Sequence, residues 1–165
     1  MPLLEDLYER QRNREISIIP FSYSTQFVNG VIVASTGGIT QNISIQADSH
    51  FVCRYLNLTT YISAASAPII VNTGLAALTI NLFDTGSGRN MLDSPQAIQN
   101  LCGGVAAGAG NGSLPFIFPE PWLIVASAVV QITLANLSVQ TFPRVDCSLI
   151  GFKVFSFGGG AAPAL

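Results

Sequence analysis

Between residues 78 and 82 the chain reads Leu-Thr-Ile-Asn-Leu, and between 130 and 134 it reads Val-Gln-Ile-Thr-Leu. A period of two puts Leu78, Ile80 and Leu82 on one face of a strand, with Thr79 and Asn81 on the other. Val130, Ile132 and Leu134 repeat the pattern against Gln131 and Thr133, with Asn136 read toward the solvent side. Other runs rich in Ile, Val, Thr, Phe and Tyr are "ISIIPFSYSTQFV", "GVIVAST", "ITQNISIQADSHFVCRYLNLTTYIS", "LPFIFPEPWLIV" and "RVDCSLIGFKVFSF". Turn signals separate them: Asn29-Gly30, Gly37-Gly38, Gly74, Gly86 and Gly88, Pro119 and Pro121, and Pro143. Seven or eight strands with no long helical pattern between them predict an all-β domain over 16–157, an antiparallel two-sheet sandwich.

Two segments follow a different period. Leu3, Leu4, Leu7 and Tyr8 form one apolar stripe within residues 3–14 and predict a short amphipathic helix, an N-terminal arm over 1–15. Its stripe packs either on the edge of its own domain or on a neighbouring subunit, which makes these four residues the candidate interface. In "SPQAIQN" (94–100), Ser94 as cap and Pro95 at the first helical position predict one helical turn. The glycine-rich "LCGGVAAGAGNGSLP" (101–115) reads as a loop that is mobile or ordered by a partner, and "GGGAAPAL" (158–165) as a flexible tail.

Charge changes the picture. The 165 residues are 49% hydrophobic and 10% charged, with a mean hydropathy of +0.48, whereas soluble domains average about 25% charged residues. Seven of the 16 charges (Glu5, Asp6, Glu9, Arg10, Arg12, Arg14 and Glu15) fall in the first 15 residues. No run reaches the roughly 18 to 20 apolar residues of a spanning helix, and the uneven strands lack the aromatic girdles of a membrane barrel. The composition therefore points to a soluble body covered by copies of itself or by other subunits, and to no membrane association. A net charge of −2 leaves no basic field for nucleic acid. The acidic N-terminus lacks the apolar core of a signal peptide, which predicts a chain made and kept in cytoplasm. Cys53, Cys102 and Cys147 lack C-x-x-C spacing and read as buried reduced thiols.

Candidate chemistry is sparse. His50 lies beside Asp48 and Ser49, but neighbours along a strand point to opposite faces and do not form a relay. One histidine and scattered aspartates make no metal cluster, and the glycines match neither a dinucleotide fingerprint nor a phosphate loop. No catalytic residue, cofactor or metal is expected. In "NLFDTGSGRNMLDSP" (81–95), Asp84 and Asp93 are a possible carboxylate pair across the turn. The favoured reading is a structural corner: Asp84 caps the turn, Gly86 and Gly88 supply positive φ, and Arg89 pairs with Asp84 or Asp93.

The order "ADSHFVCRYL", "LFDTGSGRNMLDSP", "LPFIFPEPWLIVASAVVQITLANLS" and "CSLIGFKVF", spanning residues 47–155, resembles a group of small tailed-phage virion proteins. These have an aspartate-bearing strand, a Gly-Arg turn, a Pro-Phe-x-Phe-Pro-x-Pro segment, a strand ending Asn-Leu-Ser, and a Gly-Phe/Tyr-Lys strand. The resemblance implies a jelly-roll capsid cement (decoration) protein that sits as a dimer or trimer on the major capsid protein lattice. The implied location is the capsid surface of the virion, after synthesis in the host cytoplasm. It further implies that Asp84, Arg89, Phe116 and Phe118 keep the corner and the proline-rich edge in shape, and that the helix and tail reach adjacent capsomers. It brings no catalytic residues. The alternatives are a tail, fibre or connector component of the virion and a jelly-roll carbohydrate-binding module, which calls for exposed aromatics on one sheet, whereas Trp122 is the only tryptophan and Tyr23, Tyr55 and Tyr61 do not line up on one face.

Overall fold

The computed structural model describes residues 3–32, 38–61, 78–102, 114–137 and 142–156. The glycine-rich loop over 103–112 and the tail at 158–165 lie outside the described residues. Helix α1 (Leu3–Arg12) leads into strands β1 (Ile16–Ile32), β2 (Ile39–Ser44), β3 (His50–Tyr61) and β4 (Leu78–Asp84). Two-residue strands β5 (Arg89–Asn90) and β6 (Gln96–Ala97) come next, then the single-turn α2 (Ile98–Leu101). Strands β7 (Phe116–Ile124), β8 (Val129–Asn136) and β9 (Phe142–Ser156) complete the described chain. The molecule is the expected antiparallel two-sheet sandwich. One sheet has the order β1-β9-β3-β7, the other β2-β8-β4-β5, with β6 also paired to β4.

The alternation seen in the sequence builds the core. Leu78, Ile80 and Leu82 of β4 and Val130, Ile132 and Leu134 of β8 are at most 3% exposed. They belong to one cluster with Phe51, Cys53, Leu56 and Leu58 of β3 and Val145, Cys147 and Leu149 of β9. On β3 the buried positions change parity, from 51 and 53 to 56 and 58. Cys53 pairs with Gly151 and Tyr55 with Ile150, so Arg54 is an extra residue bulged out of the ladder. Without it, Leu56 and Leu58 would face away from the core. Gly151 lies opposite the bulge, where a Cβ would run into the Val52 carbonyl oxygen and come within 3.0 Å of Cys53 Cα. The bulge and the missing side chain together allow β3 and β9 to approach closely.

Four sequence expectations need correction. Asn29-Gly30 is no turn: β1 runs on to Ile32, and a register shift between Val28 and Ile32 takes up the extra residues. The long partner strand β9 supplies ladder bonds that outweigh a local turn signal. The run "ITQNISIQADSHFVCRYLNLTTYIS" is two strands in different sheets, broken by a turn at Ala47 and Asp48. The helical turn at 94–100 starts only at Ile98, with Ala97 in the cap position and no side-chain cap bond. Gln96 and Ala97 are instead taken by β4, and Gln96 Nε2 donates to Ser94 Oγ at 2.9 Å. Finally, Asn136 is fully buried, because the same period of two that buries 130, 132 and 134 carries 136 to the core side.

Gly151→Ala tests the close approach. Forcing a methyl against backbone that cannot rotate away is expected to cost about 3 kcal/mol or more, at the upper end of overpacking penalties. Thermal denaturation should show a fall of many degrees, and an unchanged melting temperature would mean that β3 and β9 are not held as close as described.

Candidate functional site

The corner forms where β4 ends. Asp84 is 1% exposed, and its Oδ1 accepts the Gly86 N–H at 2.9 Å while Oδ2 accepts the Ser87 hydroxyl at 2.7 Å. The Gly88 N–H closes the turn on the Asp84 carbonyl at 2.9 Å, and Gly88 has φ +68°. Thr85 stitches the corner to β8: its N–H donates to the Val129 carbonyl and its Oγ1 accepts the Val129 N–H, both at 3.0 Å. Asp84 and Gly88 thus act as the sequence suggests. Gly86 does not, since it lacks positive φ. A Cβ there would lie 2.7 Å from Ala128 Cβ and 2.8 Å from Val125 Cγ2, so the residue is glycine to let the corner lie against the β7–β8 turn.

The predicted Arg89 ion pair does not form. Ion pairs among the described residues join Arg10 to Glu15 and Arg144 to Asp146. Asp84 has turned its oxygens toward its own turn, and Asp93 is exposed in the bends that follow. Exposed Arg89 instead lines an open cleft of about 360 Å³ with Ser87, Glu120, Pro121, Trp122 and Leu123. Ser87 and Arg89 come from the β4–β5 corner of one sheet, and the other four from the edge strand of the second. Along that side of the cleft, β7 leaves the β3 ladder between Ile117 and Trp122. Prolines at 119 and 121 have no N–H to offer a ladder, which suits them to such a departure. Phe116 and Phe118 meet edge-to-face at 5.1 Å, with Phe118 in the core.

The helix residues separate into two groups. Leu7, 2% exposed, packs with Ile16, Val52 and Val154 in a second cluster, with Leu3 and Leu4 partly buried against it. Val52 and Val154 lie on the opposite side of their strands from the main core, so α1 covers the outer face of the four-stranded sheet. Acidic Glu5 and Asp6 in its first turn and basic Arg10 and Arg12 in its last match the helix dipole. Arg14, at φ 60°, turns the chain into β1. Only Tyr8 of the four candidate interface residues points mainly to solvent, at 49% exposure.

The remaining candidates make local contacts. His50 Nδ1 accepts the Ala126 N–H at 3.0 Å and ties the start of β3 to the β7–β8 turn. Buried Ser49 donates its hydroxyl to Asp48 at 2.9 Å. Cys53, Cys102 and Cys147 are free and buried. Burial pushes the Cys53 thiol up to about 12 and raises the other two as well, which keeps all three protonated at neutral pH. No group of His, Cys, Asp and Glu among the described residues is arranged to hold a metal, and no described helix is long and apolar enough to cross a membrane.

One feature escaped the sequence reading. Lys153, 4% exposed, caps the end of the sandwich. Its ammonium donates to Gln46 Oε1 and lies 4.0 Å from the Phe21 ring centroid and 5.4 Å from that of Tyr23. The Tyr23 hydroxyl in turn accepts the Gln46 N–H at 3.2 Å. The stem stays in the apolar interior while the charge meets a carbonyl and two ring faces. Four residues from three separate segments make this knot, and no local pattern announces it.

No protein family, curated protein or solved structure shows a significant match to this chain.

Two pairs of substitutions test these placements. Asp84→Ala removes the acceptor of two bonds and should lower stability by about 2 kcal/mol, whereas Arg89→Ala should stay within about 0.5 kcal/mol in the same denaturant titration. A comparable loss for Arg89 would restore the ion pair. Leu7→Ala should cost about 2–3 kcal/mol and Tyr8→Ala almost nothing. Equal, negligible effects would show that α1 is not anchored on its own sheet.

Proposed function

We propose that this chain is a structural virion protein, a capsid cement or decoration subunit of jelly-roll type that binds and reinforces a tailed-phage major capsid lattice. The observation that carries the reading is the strand order. Strands β1, β9, β3 and β7 face β2, β8, β4 and β5, so the chain changes sheet at each step from β1 to β4 and again from β7 to β9. That winding supports a jelly roll, the fold implied by the resemblance of residues 47–155 to cement proteins.

The surface fits the same role. Beyond the first 15 residues only nine charges are spread over 150 positions. Leu114, Ile117, Val125 and Leu137 are 41–67% exposed on the strands and their connections. Weakly charged faces with scattered apolar side chains suit repeated contacts on a lattice, where many copies make modest affinities sufficient. Tyr8 on the outer side of α1 is the best placed of the candidate interface residues to touch a neighbour. The protein acts in this reading as a dimer or trimer on the capsid surface.

A second reading, a carbohydrate-binding module, is favoured by the cleft that combines Trp122 with Arg89 and Glu120. An aromatic ring beside charged hydrogen-bonding groups is a plausible sugar platform. Trp122 is the sole tryptophan, so its fluorescence reports on that cleft directly.

Co-sedimentation of the purified chain with empty capsid shells separates the two. Saturable binding at a stoichiometry fixed by the lattice, with no change in Trp122 emission on adding glycans, is the expected result. A chain that ignores shells and whose emission responds to glycans would overturn the cement reading in favour of the second.

A further inference from the structure

A sheet ends in edge strands whose outward N–H and C=O groups have no neighbour, and proteins usually blunt such edges. Among the described strands, three edges of this sandwich are short or broken. Strand β7 carries Pro119, Glu120 and Pro121, β2 has six residues, and β5 and β6 have two each. The fourth edge is different. From Ile16 to Val28, β1 pairs residue for residue with β9 on one side, and no described strand pairs with it on the other. Its 17 residues contain no charge. Ile19, Phe21 and Val28 are 37–49% exposed, and Ser22, Ser24 and Gln26 are exposed between them.

We propose that β1 is a self-pairing surface. Residues Phe21–Phe27 of one copy add antiparallel to the same segment of a second copy about a twofold axis through Ser24, so that Phe21 meets Phe27 and Ser22 meets Gln26 on matching faces, joining two four-stranded sheets into one of eight. A second copy is the occupant because this strand is its own complement. Under a twofold each backbone donor meets an equivalent acceptor, and a strand without charges opposes no like charges to itself. Pro20 lacks an N–H and marks one end of the pairing segment.

Seven residues at about 3.4 Å each give an edge roughly 24 Å long. With a face about 10 Å deep on each copy, the contact buries on the order of 500 Å² in all, far less than the roughly 1,200–2,000 Å² of tight complexes. Exposed Ile19 and Phe21 enlarge it modestly. The dimer is therefore weak in solution and forms only at high concentration. This inference goes beyond the cement reading and does not depend on it. Self-pairing by a chain that ignores shells would sink only the cement reading, whereas a monomer that binds shells would sink only this one.

Sedimentation velocity on the full chain from about 10 μM to about 1 mM gives the test. The expected result is a monomer–dimer equilibrium, with amide hydrogen exchange over Phe21–Phe27 slowing as concentration rises. Replacing Ser22→Lys and Ser24→Lys together, on solvent-facing positions, should weaken pairing at least about tenfold with an unchanged circular dichroism spectrum, while Ser24→Thr should keep it. A wild-type chain that stays monomeric to about 1 mM overturns the proposal. So does a dimer that survives both lysines, or one that forms without slowing exchange in this segment. Should the lysine variant fail to fold, the exchange measurement on the wild type decides alone.

Discussion

The close approach of β3 and β9 at Gly151 is the constraint on which the rest of the sandwich depends. It allows Arg54 to bulge from β3, and the bulge lets one strand supply Phe51 and Cys53, then Leu56 and Leu58, to the same core. The same strand offers Val52 to the opposite face, where Leu7 of α1 covers it. One strand thus serves two hydrophobic clusters, with Val52 turned outward by plain alternation between Phe51 and Cys53. At this end the four-stranded sheet is apolar on both sides, and its outer side must be covered by the helix.

The corner at 84–89 and the knot around Lys153 solve the opposite problem, placing polar groups at the ends of an apolar body. Asp84 is nearly inaccessible, and its oxygens are taken up by the turn that it closes. Lys153 is equally hidden and meets a carbonyl oxygen and aromatic faces. Both are buried polar groups with partners, as burial requires. Among the described residues, the open cleft near Trp122 and the long edge of β1 both lie where the two sheets end.

Those surfaces suit the assembly role proposed above: few charges leave apolar side chains for contacts, and an edge strand that no described strand pairs offers directional ones. A weak, geometrically specific contact gains force when many copies are held side by side.

The sequence by itself determined the class of fold and the inward residues of its most regular strands. Leu78, Ile80 and Leu82 and their counterparts on β8 alternate without interruption, so a period of two was enough to orient them. It also identified Asp84 as a turn-capping residue, because a carboxylate two positions before a glycine finds local N–H groups whatever surrounds it. Tertiary structure decided everything that depends on a distant partner. Gly86 is a glycine because of Val125 and Ala128, about 40 residues away, and Arg89 faces a cleft built by β7 instead of pairing with Asp93. Asn29-Gly30 stays within β1 because β9 pairs with Val28 and Ile32 on either side of it, and α1 turns three of its four stripe residues onto its own sheet because Val52 and Val154 present an apolar outer face there. Local pattern sets which way a side chain can point; only the assembled sheets set what it meets.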